Sequence, residues 1–303
     1  MKLSFVPLVA LALFVTPNVG QSADKPAQKP AVESAAKKDL PKYLLQYRFR
    51  EGEEIRAKVT HLATIETTIA GSTQKTEMTS YSTKLWRVVR VDPAGTMTFE
   101  HLVENVDMRN QMSGRQEVRY NSLTDSAAPL GYEDVAKSIG KVLSAVTISP
   151  SGNVLKREEK QVRSVADNSG SVLLPKLPDE PEPIGQVWSL PVEVNVALDD
   201  GASKAIQTRQ RYELENVEGG VATIAVETQI LTPVSNPKIR VQLIQRLSKG
   251  HIRFDLDAGR ILSQRTDLDE RVLGFSGGDS SMHYVARFTE ELLPATPKTA
   301  AIK

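Results

Sequence analysis

The stretch GFSGGDSS, Gly274 to Ser281, comes nearest to a chemical motif in this chain. Ser276 stands in a Gly-x-Ser-x-Gly spacing, which in hydrolases lifts a serine onto a sharp turn between a strand and a helix. Asp279 and His283 follow it closely, so serine, acid and imidazole all fall in one short segment. Triads assemble from distant segments, because three neighbouring side chains cannot line up as nucleophile, base and orienting acid. RVLGF before Ser276 reads as a strand, but GGDSSMHYVARF after it reads as loop and then strand, with no helix behind the serine. GFSGG also fits the Gly-x-Ser-Gly-Gly of trypsin-like proteases, yet VTHLAT around His61 lacks their Ala-Ala-His-Cys core. The segment is therefore read as a glycine-rich loop, no residue is assigned a catalytic role, and the chain is read as non-enzymatic.

Metal chemistry finds no better footing. DLDAG, Asp255 to Gly259, begins like a calcium loop, but the twelfth position, which should be acidic, is Thr266. Asp255 and Asp257 suit a hairpin turn instead. The four histidines, His61, His101, His251 and His283, are not paired at helix or strand spacing, and the chain has no cysteine. Thiolate metal sites, thiol catalysis and disulfides are thereby excluded, and no cofactor or metal is expected. Trp86 and Trp188 are the only candidates for lining a ligand pocket, although strand tryptophans are commonly core.

Composition narrows the partners. Lys and Arg number 38 against 37 Asp and Glu, a formal charge of +1, and aromatics are only 5%. Neither a basic surface nor stacking platforms point to nucleic acid. Met1-Lys2, an apolar run from Leu3 to Val15 and small residues to Ala23 have the order of a secretory signal peptide. The run is shorter than the roughly 20 residues of a membrane helix, and no later apolar run reaches that length. Residues 1–23 are thus read as a signal, and the mature protein as periplasmic or secreted. Residues 24–42, rich in Ala, Lys and Pro, read as a flexible spacer, and 294–303 as a disordered tail.

The body between them, residues 43–293, has a dominant period of two. Glu54–Ile65 places Ile55, Ala57, Val59, His61, Ala63 and Ile65 on one face, with Leu62 the apolar exception on the other. Similar strands are predicted at Lys84–Val91, Met97–Met108, Val142–Ser149, Ile206–Val217, Val221–Leu231, Ile239–Leu247, His251–Leu256 and Ile261–Leu273. Short helices are predicted around Tyr132–Ile139 and Lys160–Ala166. The class is mainly β, an antiparallel curved sheet or half-barrel.

Asp92-Pro93-Ala94-Gly95 suits a type I turn with a bulge at Gly95. Counted back from it, Val91 faces Met97, Val89 faces Phe99, Leu85 faces Val103, Trp86 faces Leu102 and Lys84 faces Glu104. Apolar residues on both faces of this strand predict cover on both sides.

The two halves, about 43–173 and 185–293, share a rhythm. Trp86, Val88, Val91 and Phe99 around Gly95 recur as Tyr212, Leu214, Val217 and Ile224 around Gly219, and GEEI at Gly52 matches GQVW at Gly185. VTISPSGNVL from Val146 echoes RFDLDAGRIL from Arg253. A duplicated β-meander is expected. The proline-rich stretch Leu174 to Gly185 reads as a connector along the surface, since prolines lack ladder donors.

The YRFREGEE opening, LPDEPEPIGQVWSL and FDLDAGRILS, in this layout of signal, spacer and long strands, resemble uncharacterised secreted bacterial β-rich proteins grouped under a domain of unknown function. Meander and hairpin rhythm is more loosely similar to the half-barrel of the outer-membrane lipoprotein carrier. These resemblances imply export and architecture but carry no ligand residue. Two functions remain: an exported β protein that binds an apolar molecule, lipid or envelope component, or a structural interaction module with a solid core and no pocket.

Overall fold

The computed structural model describes residues 40–161 and 174–295. Period-two patterning becomes long strands: β1 Lys42–Tyr43, β2 Glu54–Ile69, β3 Ser72–Val91, β4 Met97–Met112 and β5 Val118–Asn121 come first. Helix α1, Glu133–Ser138, precedes β6 Val142–Ile148, β7 Val154–Glu159, β8 Glu182–Pro183, β9 Val187–Ala197, β10 Ser203–Glu218 and β11 Val221–Ile230. Helix α2, Pro237–Leu243, runs into a 3-10 turn at Ile244–Arg246, followed by β12 Lys249–Asp255, β13 Arg260–Leu273 and β14 Ser281–Leu292.

All strands but β1 and β8 join one open antiparallel sheet of 12 strands, and strand accounts for 59% of the structure. Its order is β7-β6-β4-β3-β2-β14-β13-β12-β11-β10-β9, with β5 beside the far end of β4. Phe99 on β4 and Ile224 on β11 share one buried cluster although β3, β2, β14, β13 and β12 lie between them in the sheet. The sheet must therefore curl, as twisted antiparallel sheets do, until its inner faces meet. The N-terminal segment threads this meeting point, with Leu45, Tyr47 and Phe49 buried and Tyr47 donating its N–H to the Pro150 carbonyl.

The two halves correspond position by position. Val88 pairs with Phe99, and Leu214 with Ile224. Gly52 and Gly185 donate to the carbonyls of Val88 and Leu214, which donate in turn to Glu53 and Gln186. A register shift falls at Val89 in one half and at Glu215 in the other. Strands β4 and β6 are joined through α1, and β11 and β12 through α2. The echo downstream is displaced by one residue: Val146 and Ile148 pair with Phe99 and Met97 as Ile252 and Phe254 pair with Ile224 and Ala222. Val146 is thus equivalent to Ile252 rather than Arg253, because the β12–β13 turn holds one residue more.

Several expectations are corrected. The turn at Asp92–Gly95 forms as read, with Asp92 N–H on the Thr96 carbonyl and Gly95 at φ 82°. Val89 then bulges out, so Val88 rather than Val89 faces Phe99, Leu85 faces Leu102, Trp86 faces His101 and Lys84 faces Val103. A bulge re-aims every later side chain, and here it keeps Val88 inside while leaving Val89 exposed. Leu85 and Leu102 are nonetheless buried on the face opposite Trp86, as the two-sided pattern required.

The strand expected at Ile239–Leu247 is helix α2, started by the Asn236 side chain accepting from Lys238 N–H with Pro237 in the first turn. The connector is not a surface strap either. Leu174 and Leu177 enter the core, Leu177 N–H bonds the Ser151 carbonyl, and Glu182–Pro183 pairs with Lys42–Tyr43. Apolar Leu174 and Leu177 outweigh the missing proline donors. Helix α1 lies where expected; of the helix foreseen at Lys160–Ala166, Lys160 and Gln161 are not helical and residues 162–166 fall outside the described residues.

Candidate functional site

Ser276 is exposed, its N–H bonded to Ser280 Oγ at 2.7 Å, and the chain continues into strand β14 rather than a helix. His283, on β14, is engaged elsewhere. Its ring nitrogens meet Asp269 Oδ1 at 2.7 Å and Arg271 at 3.2 Å on the convex face. Asp255 accepts the N–H groups of Asp257 and Ala258, closing the β12–β13 turn as foreseen for DLDAG. His251 lies 3.2 Å from Glu215 at the surface, while His101 is buried.

The tryptophans occupy equivalent layers of the shared core. Trp86 stacks on Phe99 with centroids 4.5 Å apart, and Trp188 stacks on Tyr212 at 5.6 Å. Trp188 donates its indole N–H to the Lys176 carbonyl at 2.7 Å, which pins the connector. Trp86 borders a cavity of about 30 Å³ with Ile55, Ala57, Leu174 and Leu292. That is room for about one water, far below the ~300 Å³ at which small-molecule pockets begin. Both rings serve as core at this end of the sheet.

The concave face has three layers. Below lies the shared core around Phe99, Tyr212 and Phe254. Above, α2 and its 3-10 turn pack Ile244 on Ala63, Leu268 and Tyr284, and Leu243 on Val194 and Ile206. Between them the inward positions of four adjacent strands form a belt. Strand β2 brings Val59 and His61, β3 brings Ser80, Ser82 and Lys84, β14 brings Phe288 and Glu290, and β13 brings Gln264 and Thr266. All are half-buried, neither packed shut nor facing bulk solvent.

Chemistry in the belt is concentrated at Glu290. One carboxylate oxygen pairs with Lys84, the other accepts from Gln264 Nε2 at 2.9 Å. Lys84 also stands 4.7 Å over the Trp86 ring, a cation–π contact that holds the ammonium at the border of core and belt. Burial lowers the pKa of His61, keeping its imidazole neutral near pH 7. The belt can therefore offer neutral hydrogen-bonding groups, one ion pair and two apolar contacts, Val59 and Phe288. It holds no group of three or more metal-ligating side chains among the described residues.

Sequence reasoning placed Val59 and His61 inward but missed the belt. Ser80 and Ser82 lie in TSYSTK, where both faces are polar and alternation carries no signal. Lys84 was assigned to Glu104, which is instead held bidentately by Arg56, Nη2 on Oε1 at 2.9 Å and Nε on Oε2 at 3.0 Å.

No family of known proteins matches the chain, and no curated protein does. Among solved structures, it is similar to lipovitellin, whose structure was described for its lipid–protein interactions. That likeness has 11% identity and a TM-score of 0.47, over 82% of this chain and 26% of lipovitellin. DynF of the dynemicin biosynthesis pathway of Micromonospora chersina and OpdQ of Pseudomonas aeruginosa follow, each with a TM-score of 0.22. They are 7% and 8% identical, covering 88% and 80% of this chain and 92% and 100% of theirs. The chain thus spans about a quarter of lipovitellin, the first of these neighbours, and its likeness is not to the lipoprotein carrier's half-barrel in particular.

Proposed function

We propose that this is an exported, non-catalytic binding protein that holds an amphipathic envelope molecule against the concave face of its sheet. The observation that carries the reading is the belt, where Val59, His61, Ser80, Ser82 and Phe288 stay half-exposed between two packed layers. A protein selected only for rigidity would close such a layer with apolar side chains, because each half-buried hydroxyl or ring nitrogen forfeits burial energy. A molecule with an apolar body and a polar head fits the mixture better than a purely apolar one.

Native mass spectrometry of the protein purified from its own extracytoplasmic fraction tests this. A bound small molecule is expected on the wild type and is expected to be lost from Phe288→Asp. The filled core beside Trp86 favours a second reading, an interaction module with no ligand. A bare wild-type mass decides for that alternative, and an adduct that survives Phe288→Asp refutes the belt as the binding site.

A further inference from the structure

Arg246 closes the 3-10 turn that leads from α2 down to β12. The turn's neighbouring residues fix where it sits. Leu243 is buried against the inner face of β9 and β10, and Ile244 against that of β13 and β14. In a 3-10 turn residues three apart eclipse, so Arg246 follows Leu243 on the side toward β10. Two residues on, the Ser248 carbonyl accepts the N–H of Thr228, whose partner on β10 is Gln210. Arg246 therefore stands at the lower edge of the apolar cap, on the β10 side of the concave face and across the curled sheet from the belt strands.

Its side chain is half-buried, and no carboxylate among the described residues forms an ion pair or hydrogen bond with it. The other half-buried cations facing inward are all committed: Lys84 to Glu290, and Arg260 to Glu53 at 2.7 Å. Burial alone acts on the Arg246 guanidinium and lowers its pKa, yet arginine stays charged at any physiological pH. A desolvated, unpaired guanidinium is a cost to the free protein, one that a bound anion removes by accepting its forked N–H groups.

We propose that Arg246 receives the anionic head of an amphiphile whose chain lies along the belt. The inference rests on the binding function proposed above and adds the charge of the ligand: a carboxylate, sulfate or phosphate rather than a neutral or cationic head. Lys84 does not compete for the head, because Glu290 already neutralises it.

The test compares oleate with oleyl alcohol, equal in chain and different in charge, titrated below their aggregation limits into the full mature protein. Wild type is expected to bind oleate at least tenfold more tightly. Arg246→Met is expected to weaken oleate roughly 10- to 100-fold, leave oleyl alcohol unchanged and leave the urea midpoint equal or higher. Arg246→Lys is expected to recover part of the oleate affinity, since it restores charge without the fork. Equal binding of both probes, unmoved by Arg246→Met, overturns the assignment while the binding function stands. A lowered midpoint in Arg246→Met overturns it too, because the guanidinium would then have had a partner. If neither probe binds wild type, the binding function itself fails and the assignment falls with it.

Discussion

Tyr47 makes the sharpest quantitative prediction about how the two halves are held. Its ring is 2% exposed, meets Phe254 edge-on with centroids 5.5 Å apart, and donates its hydroxyl to the Pro175 carbonyl at 2.9 Å. It thus joins the N-terminal segment, β12 and the connector in one contact set. Tyr47→Phe leaves the ring in place and strands a buried carbonyl, so a loss of about 1–3 kcal/mol is expected at pH 7.

Burial also pushes the Tyr47 phenol well above its usual value, with Tyr212 and Glu290 adding smaller repulsions. A raised folded pKa means the native state keeps its proton when the unfolded chain loses it. That stabilisation is whole below pH 10 and is lost as pH climbs from there toward the folded value. At pH 11 one such tyrosine loses about 1.4 kcal/mol, from an unfolded pKa of about 10.

Urea unfolding of wild type and Tyr47→Phe at pH 7, 10 and 11 should therefore show a gap that narrows by about 1.4 kcal/mol at the highest pH. Wild type should lose more than that in all, since Tyr132, Tyr212 and Tyr284 are raised by burial in the same direction. A gap constant across the three pH values would refute the claim that the phenol is held neutral by burial. Equal stability at pH 7 would refute the claim that the Tyr47 hydroxyl ties the N-terminal segment to the connector.

Three more outcomes are expected. Either Glu290→Gln or Lys84→Met alone should cost about 2–3 kcal/mol in urea unfolding by leaving a largely buried charge unpaired, and the double variant should cost less than their sum. Val89→Asp should change stability by no more than about 0.5 kcal/mol, because the bulge exposes it, while Val88→Asp should abolish the folded circular dichroism spectrum. Asn236→Ala should cost about 1 kcal/mol by removing the cap of α2, read from the urea midpoint.

The fold class was legible because strands half-buried on one face must alternate, and Ile55 to Ile65 alternate almost without fault. Duplication was legible because turns carry fixed residues: Gly95 and the Gly219-Gly220 pair all have positive φ, marking the two hairpins. What failed was anything set by bulges or tertiary choice. Nothing at Val89 distinguishes it from Val88 or Val91, so its ejection depends on what Phe99 packs against. Ile239–Leu247 alternates well enough for a strand, and only Asn236-Pro237 signals the helix. The belt was the least legible feature, because a polar residue facing inward looks in sequence like one facing solvent.

The correspondence between the halves makes their differences informative. Equivalent bulges at Val89 and Glu215 give both meanders the same local twist, and equivalent helices cover both. Shared features therefore account for the scaffold. Trp86 and Tyr212 are equivalent, so Lys84 on β3 corresponds to Gln210 on β10, which only accepts the Tyr212 hydroxyl. The ammonium belongs to one half alone, and its partner Glu290 comes from β14, the strand placed between the two meanders. Phe288 comes from β14 as well, and Arg246 from the turn after α2. Charge and chemistry in the concave face thus lie where one half departs from the other. A symmetric sheet would present two equal half-sites, whereas this one presents an ion pair on one wall and, on the other, a guanidinium with no carboxylate partner among the described residues, the polarity by which the proposed amphiphile would bind in a single orientation.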